Sequence, residues 1–214
     1  MKVLVAGANG HTGRIIVQML GQHSEHEAYA MIRDAAQAEK MKELGAAGVV
    51  VLDLEGNVAK APEEMDAVIF AAGSGSQTGP KKTISVDQEG AKKLIDASRV
   101  QEVKHFIMLS GIGAEHPHGP IKHYLEAKGI ADAHLAASGL AYTIVRPGLL
   151  TFHKGSGKVE MRKKIENREN RSISREDVAK VMVLSLDEEN AKGKTFELLS
   201  GEQDIKEALK TYKE

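Results

Sequence analysis

Short apolar blocks alternate along the chain with segments whose apolar positions recur at helical spacing. Residues 1–6 form the first block and run directly into a glycine-rich turn, after which 15–20 reads as a helix that Gly21 ends. Further blocks at 27–33, 48–52, 66–72, 103–110, 141–146 and 195–199 predict strands. Between them, 35–44, 83–98 and 121–138 predict helices, with Gly45 and Gly139 as stops and Pro147 closing the sixth strand. Strand and helix in alternation predict parallel βαβ units covered on both faces. In the helix over 83–98 Asp87 falls on the apolar stripe of Ile84, Ala91, Leu94 and Ile95, so it is expected to face the sheet.

Past Pro147 the pattern loosens. Residues 154–175 hold eight basic side chains (Lys154, Lys158, Arg162, Lys163, Lys164, Arg168, Arg171, Arg175) and three acidic ones, which reads as a hairpin or short strands at a solvated edge more readily than as an acidic-substrate patch. Ser174 followed by Arg175, Glu176 and Asp177 predicts a capped helix running to about 186, and 204–212 predicts a last helix.

The opening turn carries the first candidate chemistry. Gly7, Gly10 and Gly13 stand at G-x-x-G-x-x-G spacing between strand and helix, with Asn9, His11, Thr12 and Arg14 filling the turn. Such spacing permits a tight turn, close approach of a pyrophosphate and close helix–strand packing, with phosphate on the free N–H groups of the helix. The triplet alone also fits an ordinary strand-to-helix turn. Strand, turn and helix in this order at the start of the chain favour a dinucleotide site.

Arg33 ends the second strand, 20 residues past Gly13, where an arginine suits a 2′-phosphate and an acid would suit a ribose hydroxyl. With Arg14 in reach of the same phosphate, NADP is expected over NAD; Asp34 argues the other way, and Arg33 also reads as a plain surface residue. Asp53, on the same rim, could contact the adenine or cap a loop.

Ser110 ends the fifth strand, and Tyr124 and Lys128 lie at i and i+4 on the helix that follows. On one face, the ammonium would lower the phenol's proton affinity and make it a usable acid or base. Ser110 could hydrogen-bond a substrate oxygen. Each piece occurs by chance; together, after the fifth strand, they favour chemistry.

Taken in order, Gly7-x-x-Gly10-x-x-Gly13, Asp53-Leu54, Ala71-Ala72-Gly73, Ser110, Tyr124-x-x-x-Lys128 and Val145-Arg146-Pro147-Gly148 resemble the short-chain dehydrogenase/reductases, specifically the compact atypical epimerase/dehydratase-like or NmrA-like branch. The resemblance implies an α/β fold, a doubly wound Rossmann sheet of about seven parallel strands with a small C-terminal substrate-side lobe. It implies Tyr124 as general acid/base, Lys128 on the nicotinamide ribose, and Ala71, Ala72, Gly73, Pro147 and Gly148 lining the cofactor, with Asp53 and Leu54 beside it. Many catalytic members have asparagine where Asp87 stands here.

Length and composition narrow these expectations. The 214 residues suit one domain, with 1–148 as the cofactor core and 149–214 as a short extension, too short for the large substrate lobe of sugar-nucleotide epimerases. A net charge of -1 offers no field for nucleic acid or a membrane surface, so a small-molecule substrate is the expected partner. No cysteine is present, which excludes thiol catalysis and suits a reducing compartment; no apolar run approaches a membrane span, and cytoplasm is the default expectation. His116, His118 and His123 lack acidic partners at ligand spacing, so no metal is expected. The expected function is an NADP-dependent oxidoreductase acting on a small carbonyl or hydroxyl substrate. The alternative is a dinucleotide-binding sensor without chemistry, and a sugar-nucleotide epimerase or dehydratase ranks third.

Overall fold

The computed structural model describes residues 1–22, 25–75, 78–166 and 172–213. Arg168 and Arg171 of the basic run lie outside them, as do Ser76 and Gln77 of the polar loop that the sequence predicts over 74–80, after the fourth strand.

Seven strands form a parallel sheet: β1 (Lys2–Ala6), β2 (Glu27–Ile32), β3 (Gly48–Val51), β4 (Ala67–Phe70), β5 (His105–Leu109), β6 (Tyr142–Pro147) and β10 (Lys194–Ser200). Their spatial order is β3-β2-β1-β4-β5-β6-β10, so the winding reverses between β1 and β4. A doubly wound sheet opens a crevice there, at the carboxyl ends of the strands. β4 and β5 read as unbroken apolar runs because both faces are covered; every residue of each is buried. One face is covered by α1 (His11–Gly21) and α6 (Arg175–Leu184), the other by α4 (Ala91–Val100) and α5 (Lys122–Ala136). In α1 the buried Thr12, Ile16, Val17 and Leu20 recur at three- and four-residue steps, the pattern that made this helix legible.

The C-terminal third differs in detail from expectation. β8 (Lys158–Arg162), inside the basic run, forms no hairpin of its own; it runs antiparallel to β10, and the two-residue β11 (Gln203–Asp204) extends the sheet beyond it. A separate parallel pair joins β7 (Leu149–Thr151) to β9 (Ser172–Ser174). Residues after Gly148 therefore go largely into lengthening the sheet to nine strands among the described residues and into covering it with α6 and with α7 (Ile205–Thr211).

The helix expected at 83–98 starts earlier and changes pitch. It opens at Pro80–Lys82, widens into a π-helical stretch over Thr83–Gly90 and closes as α4. The wider turn shifts the phase: Asp87 is fully buried as expected, while Ile84 from the same anticipated stripe is half exposed. Among the described residues no helix is long and apolar enough to cross a membrane.

Candidate active site

The glycine turn lies at the carboxyl end of β1, where the winding reverses. Gly7 has φ +80°, and a Cβ there would sit 2.5 Å from the Ala72 Cα, so the turn is pressed against the strand-end segment 71–73. A Cβ on Gly13 would sit 2.1 Å from the Gly7 carbonyl oxygen, so only glycine lets α1 start this close to the turn. Gly10 precedes α1 without any side-chain cap, and the first turn holds no acid. The uncapped N–H groups at the start of α1 fit a phosphate ligand, and the point where the sheet's winding reverses suits a dinucleotide.

The other expected cofactor residues divide. Arg14 donates from Nε and Nη2 to Asn9 Oδ1 at 3.0 and 2.6 Å, which ties the side chain across the turn. Arg33 is exposed just past β2. Asp34, the competing reader of a ribose, accepts from the Ala36 N–H at 2.9 Å and caps a short 3-10 turn. Asp53 accepts from the Glu55 N–H at 2.9 Å, so the loop-capping reading is realised. Leu54 is buried in the core beside Gly90. Pro147 ends β6 on the same edge, and the Gly148 N–H donates to the Leu198 carbonyl at 3.1 Å.

On the facing side, α5 brings Tyr124 and Lys128 together as their spacing requires: Nζ lies 5.6 Å from the phenol ring centroid. Tyr124 is half-buried, whereas Lys128 is 2% exposed. Three protein oxygens surround the ammonium, with hydrogen bonds to the carbonyls of Leu109 (3.2 Å) and Ala72 (3.4 Å) and an ion pair to Asp87 Oδ1 at 3.1 Å. Burial alone would lower the Lys128 pKa; the Tyr124 phenol and the Asp87 carboxylate outweigh it and raise it, so the group stays charged. The ammonium ties together the carboxyl ends of β4 and β5. Asp87 also accepts from the Ser74 N–H at 2.8 Å, which fixes the start of the polar loop.

Ser110, 3% exposed, donates its hydroxyl hydrogen to Asp132 Oδ2 at 2.8 Å. Arg146 Nε donates to the same oxygen at 3.0 Å, and its Nη1 lies 3.2 Å from Glu115 Oε1. Burial raises the Asp132 pKa, and Arg146, Ser110 and Lys128 oppose the rise. The hydroxyl hydrogen assigned to a substrate oxygen is thus engaged by a carboxylate. Sequence reading missed Asp132 and the role of Arg146. A signal existed: Asp132 repeats the four-residue step from Tyr124 to Lys128 and so belongs to the same helix face.

Comparison with known proteins places this arrangement. Residues 7–189 match the family described as NAD(P)H-binding. The chain belongs to that family. This NAD(P)H-binding protein is 42% identical over 216 residues to a Bacillus subtilis protein named "Uncharacterized sugar epimerase YhfK", covering 98% of this chain and 99% of that one. A solved structure described as an NAD-dependent epimerase/dehydratase from Bacillus halodurans is also 42% identical, covers 99% of this chain and 100% of its own, and superposes with a TM-score of 0.95. Sanguinarine reductase of Eschscholzia californica is 28% identical over 257 residues, covering all of this chain and 94% of its own. The NAD(P)-binding Rossmann fold and the atypical short-chain dehydrogenase/reductase-like branch expected from the motifs are those found.

Proposed function

We propose that the protein is an NADP-dependent oxidoreductase that transfers hydride to or from a small carbonyl or hydroxyl compound, with Tyr124 supplying or taking the proton on oxygen. The observation that carries the reading is a half-buried phenol on the crevice side of α5 with a charged ammonium 5.6 Å from its ring. Bound nicotinamide supplies or accepts the hydride. Gly7, Gly10 and Gly13 let the diphosphate approach the first turn of α1. Lys128 acts on Tyr124 through its charge and fixes the strand ends from below. Ser110, with its hydrogen on Asp132, would meet a substrate hydroxyl only as an acceptor.

Preference for NADP rests on Arg33, exposed at the end of β2, together with the capping duty that occupies Asp34. Sugar-nucleotide epimerisation is less supported, because the described residues after Gly148 go largely into extending and covering the sheet. The engagement of Ser110 and Lys128 by protein groups favours one second reading, a dinucleotide-binding sensor without turnover.

The two readings separate in an NADPH-oxidation assay against a panel of aldehydes, ketones and quinones. Turnover with at least one carbonyl class is the expected result. Tight NADPH binding with no turnover across the panel would replace the enzyme by the sensor.

A further inference from the structure

Arg175 opens α6 and belongs to the basic run whose sequence suggested a solvated edge. Its surroundings are different. The register of β7 on β9 pairs Thr151 with Ser174, so the next residues, Phe152 and Arg175, emerge side by side. The guanidinium carbon lies 4.0 Å from the Phe152 ring centroid, and Nη1 donates to the Leu150 carbonyl at 3.0 Å. Phe152 in turn meets the ring of His11, the first residue of α1, edge-on at 4.9 Å. A residue of the C-terminal third is thereby held beside the glycine turn at the mouth of the crevice. Phe152 is 73% exposed there, a large ring kept in place by its two neighbours and left open to solvent on the rest of its surface.

The charge of Arg175 is uncompensated. Among the described residues no carboxylate pairs with it and no hydrogen-bond acceptor other than Leu150 O serves it. The two acids of its own first turn are turned away: Glu176 accepts from the Gly155 N–H at 2.7 Å, and Asp177 accepts from the N–H groups of Ser156 and Gly157 at 3.0 and 2.8 Å. Its position at the start of a helix sets it against the positive end of that helix, and partial burial lowers its pKa. A cation held in this way, with its fork of donors largely unused, suits a bidentate oxyanion.

We propose that Arg175, stacked on the Phe152 ring that packs against His11 beside the glycine turn, is a further cofactor-binding residue that contacts the diphosphate bridge of NAD(P)H. The proposal rests on the dinucleotide site and not on the hydride chemistry, so equilibrium binding tests it even if the protein turns nothing over. Because the diphosphate is common to both cofactors, Arg175 acts on each equally, in contrast to Arg33, which concerns the 2′-phosphate alone.

The test is titration of nicotinamide fluorescence with NADPH and with NADH on the wild type, Arg175→Met and Arg175→Lys, with thermal unfolding of the ligand-free proteins as a check on folding. Arg175→Met is expected to weaken both cofactors by a similar factor of about 10 to 100, the range of a charge-assisted hydrogen bond, and to make NADH affinity less sensitive to salt. Arg175→Lys is expected to lose less, because it keeps the charge and forfeits only the fork. Should Arg175→Met fail to fold, the lysine variant decides: an equal, smaller loss for both cofactors supports the proposal. Unchanged affinities would overturn it, as would a loss confined to NADPH. Intact cofactor binding with impaired turnover would also overturn it and assign Arg175 to a substrate anion.

Discussion

Single side chains at the two ends of the crevice have separable duties. Arg33 stands exposed where the second strand ends, and Asp34 is engaged in a cap, so on the proposed reading a 2′-phosphate there meets the Arg33 guanidinium. Arg33→Ala is therefore expected to weaken NADPH by about 1.5–3 kcal/mol, the scale of a hydrogen bond to a charged group, and to leave NADH unchanged. Nicotinamide fluorescence titration reads both, and an equal effect on the two cofactors would sink the assignment. At this scale the sequence was legible wherever spacing alone brings residues together: the glycines, and Tyr124 with Lys128. It was less legible where a hydrogen bond decides direction. Nothing in the string says that Ser110 gives its hydrogen to a carboxylate 22 residues on, or that Arg175 turns back onto Phe152.

Helix α5 is the element on which the site depends. Lys128 bonds the carboxyl ends of β4 and β5, Asp132 bonds Ser110 and Arg146, and Gly129 between them touches the 111–116 turn. A Cβ on Gly129 would lie 2.3 Å from the Ala114 carbonyl oxygen, which is backbone and cannot swing aside. Gly129→Ala should therefore lift α5 off the turn. The expected cost is about 1–3 kcal/mol, as for overpacking elsewhere, although alanine is the better helix former. A lowered urea midpoint checks it; an unchanged or raised midpoint would mean that the helix does not need this approach. The helix itself was plain from its apolar spacing, but its docking was not, because the clasps pair it with residues far away in the chain. The π-helical stretch before α4 was equally hidden: a 3.6-residue period cannot reveal a turn that departs from it, and Ile84 was assigned to the wrong face for that reason.

Over the whole molecule the alternation of strands and helices was enough to give the parallel, doubly wound sheet, since buried strands and amphipathic helices differ in period. The antiparallel β8 was harder to see because its charged, half-exposed residues mimic a surface loop. Cooperative unfolding should respond to acid through His105, buried at the start of β5 beside β6. Its Nε2 lies 2.9 Å from Thr143 Oγ1, whose own hydrogen goes to the Ala191 carbonyl, so the ring is neutral and donates from Nε2. Burial pushes its pKa from 6.5 down to about 4. The unfolded chain therefore binds a proton that the folded chain refuses between those values. The stabilisation is full above pH 6.5 and is lost as pH falls toward 4, by up to about 3 kcal/mol. Urea unfolding at pH 7 and pH 4.5 reads the loss, and His105→Gln should show a smaller one; an equal pH dependence in both would exclude His105 as its source. The central claim is the proton chemistry of Tyr124, and kcat of Tyr124→Phe beside its NADPH affinity tests it most directly. The account predicts unchanged affinity and a kcat lowered by about 10²- to 10⁴-fold; a kcat within a factor of about two of wild type would contradict it.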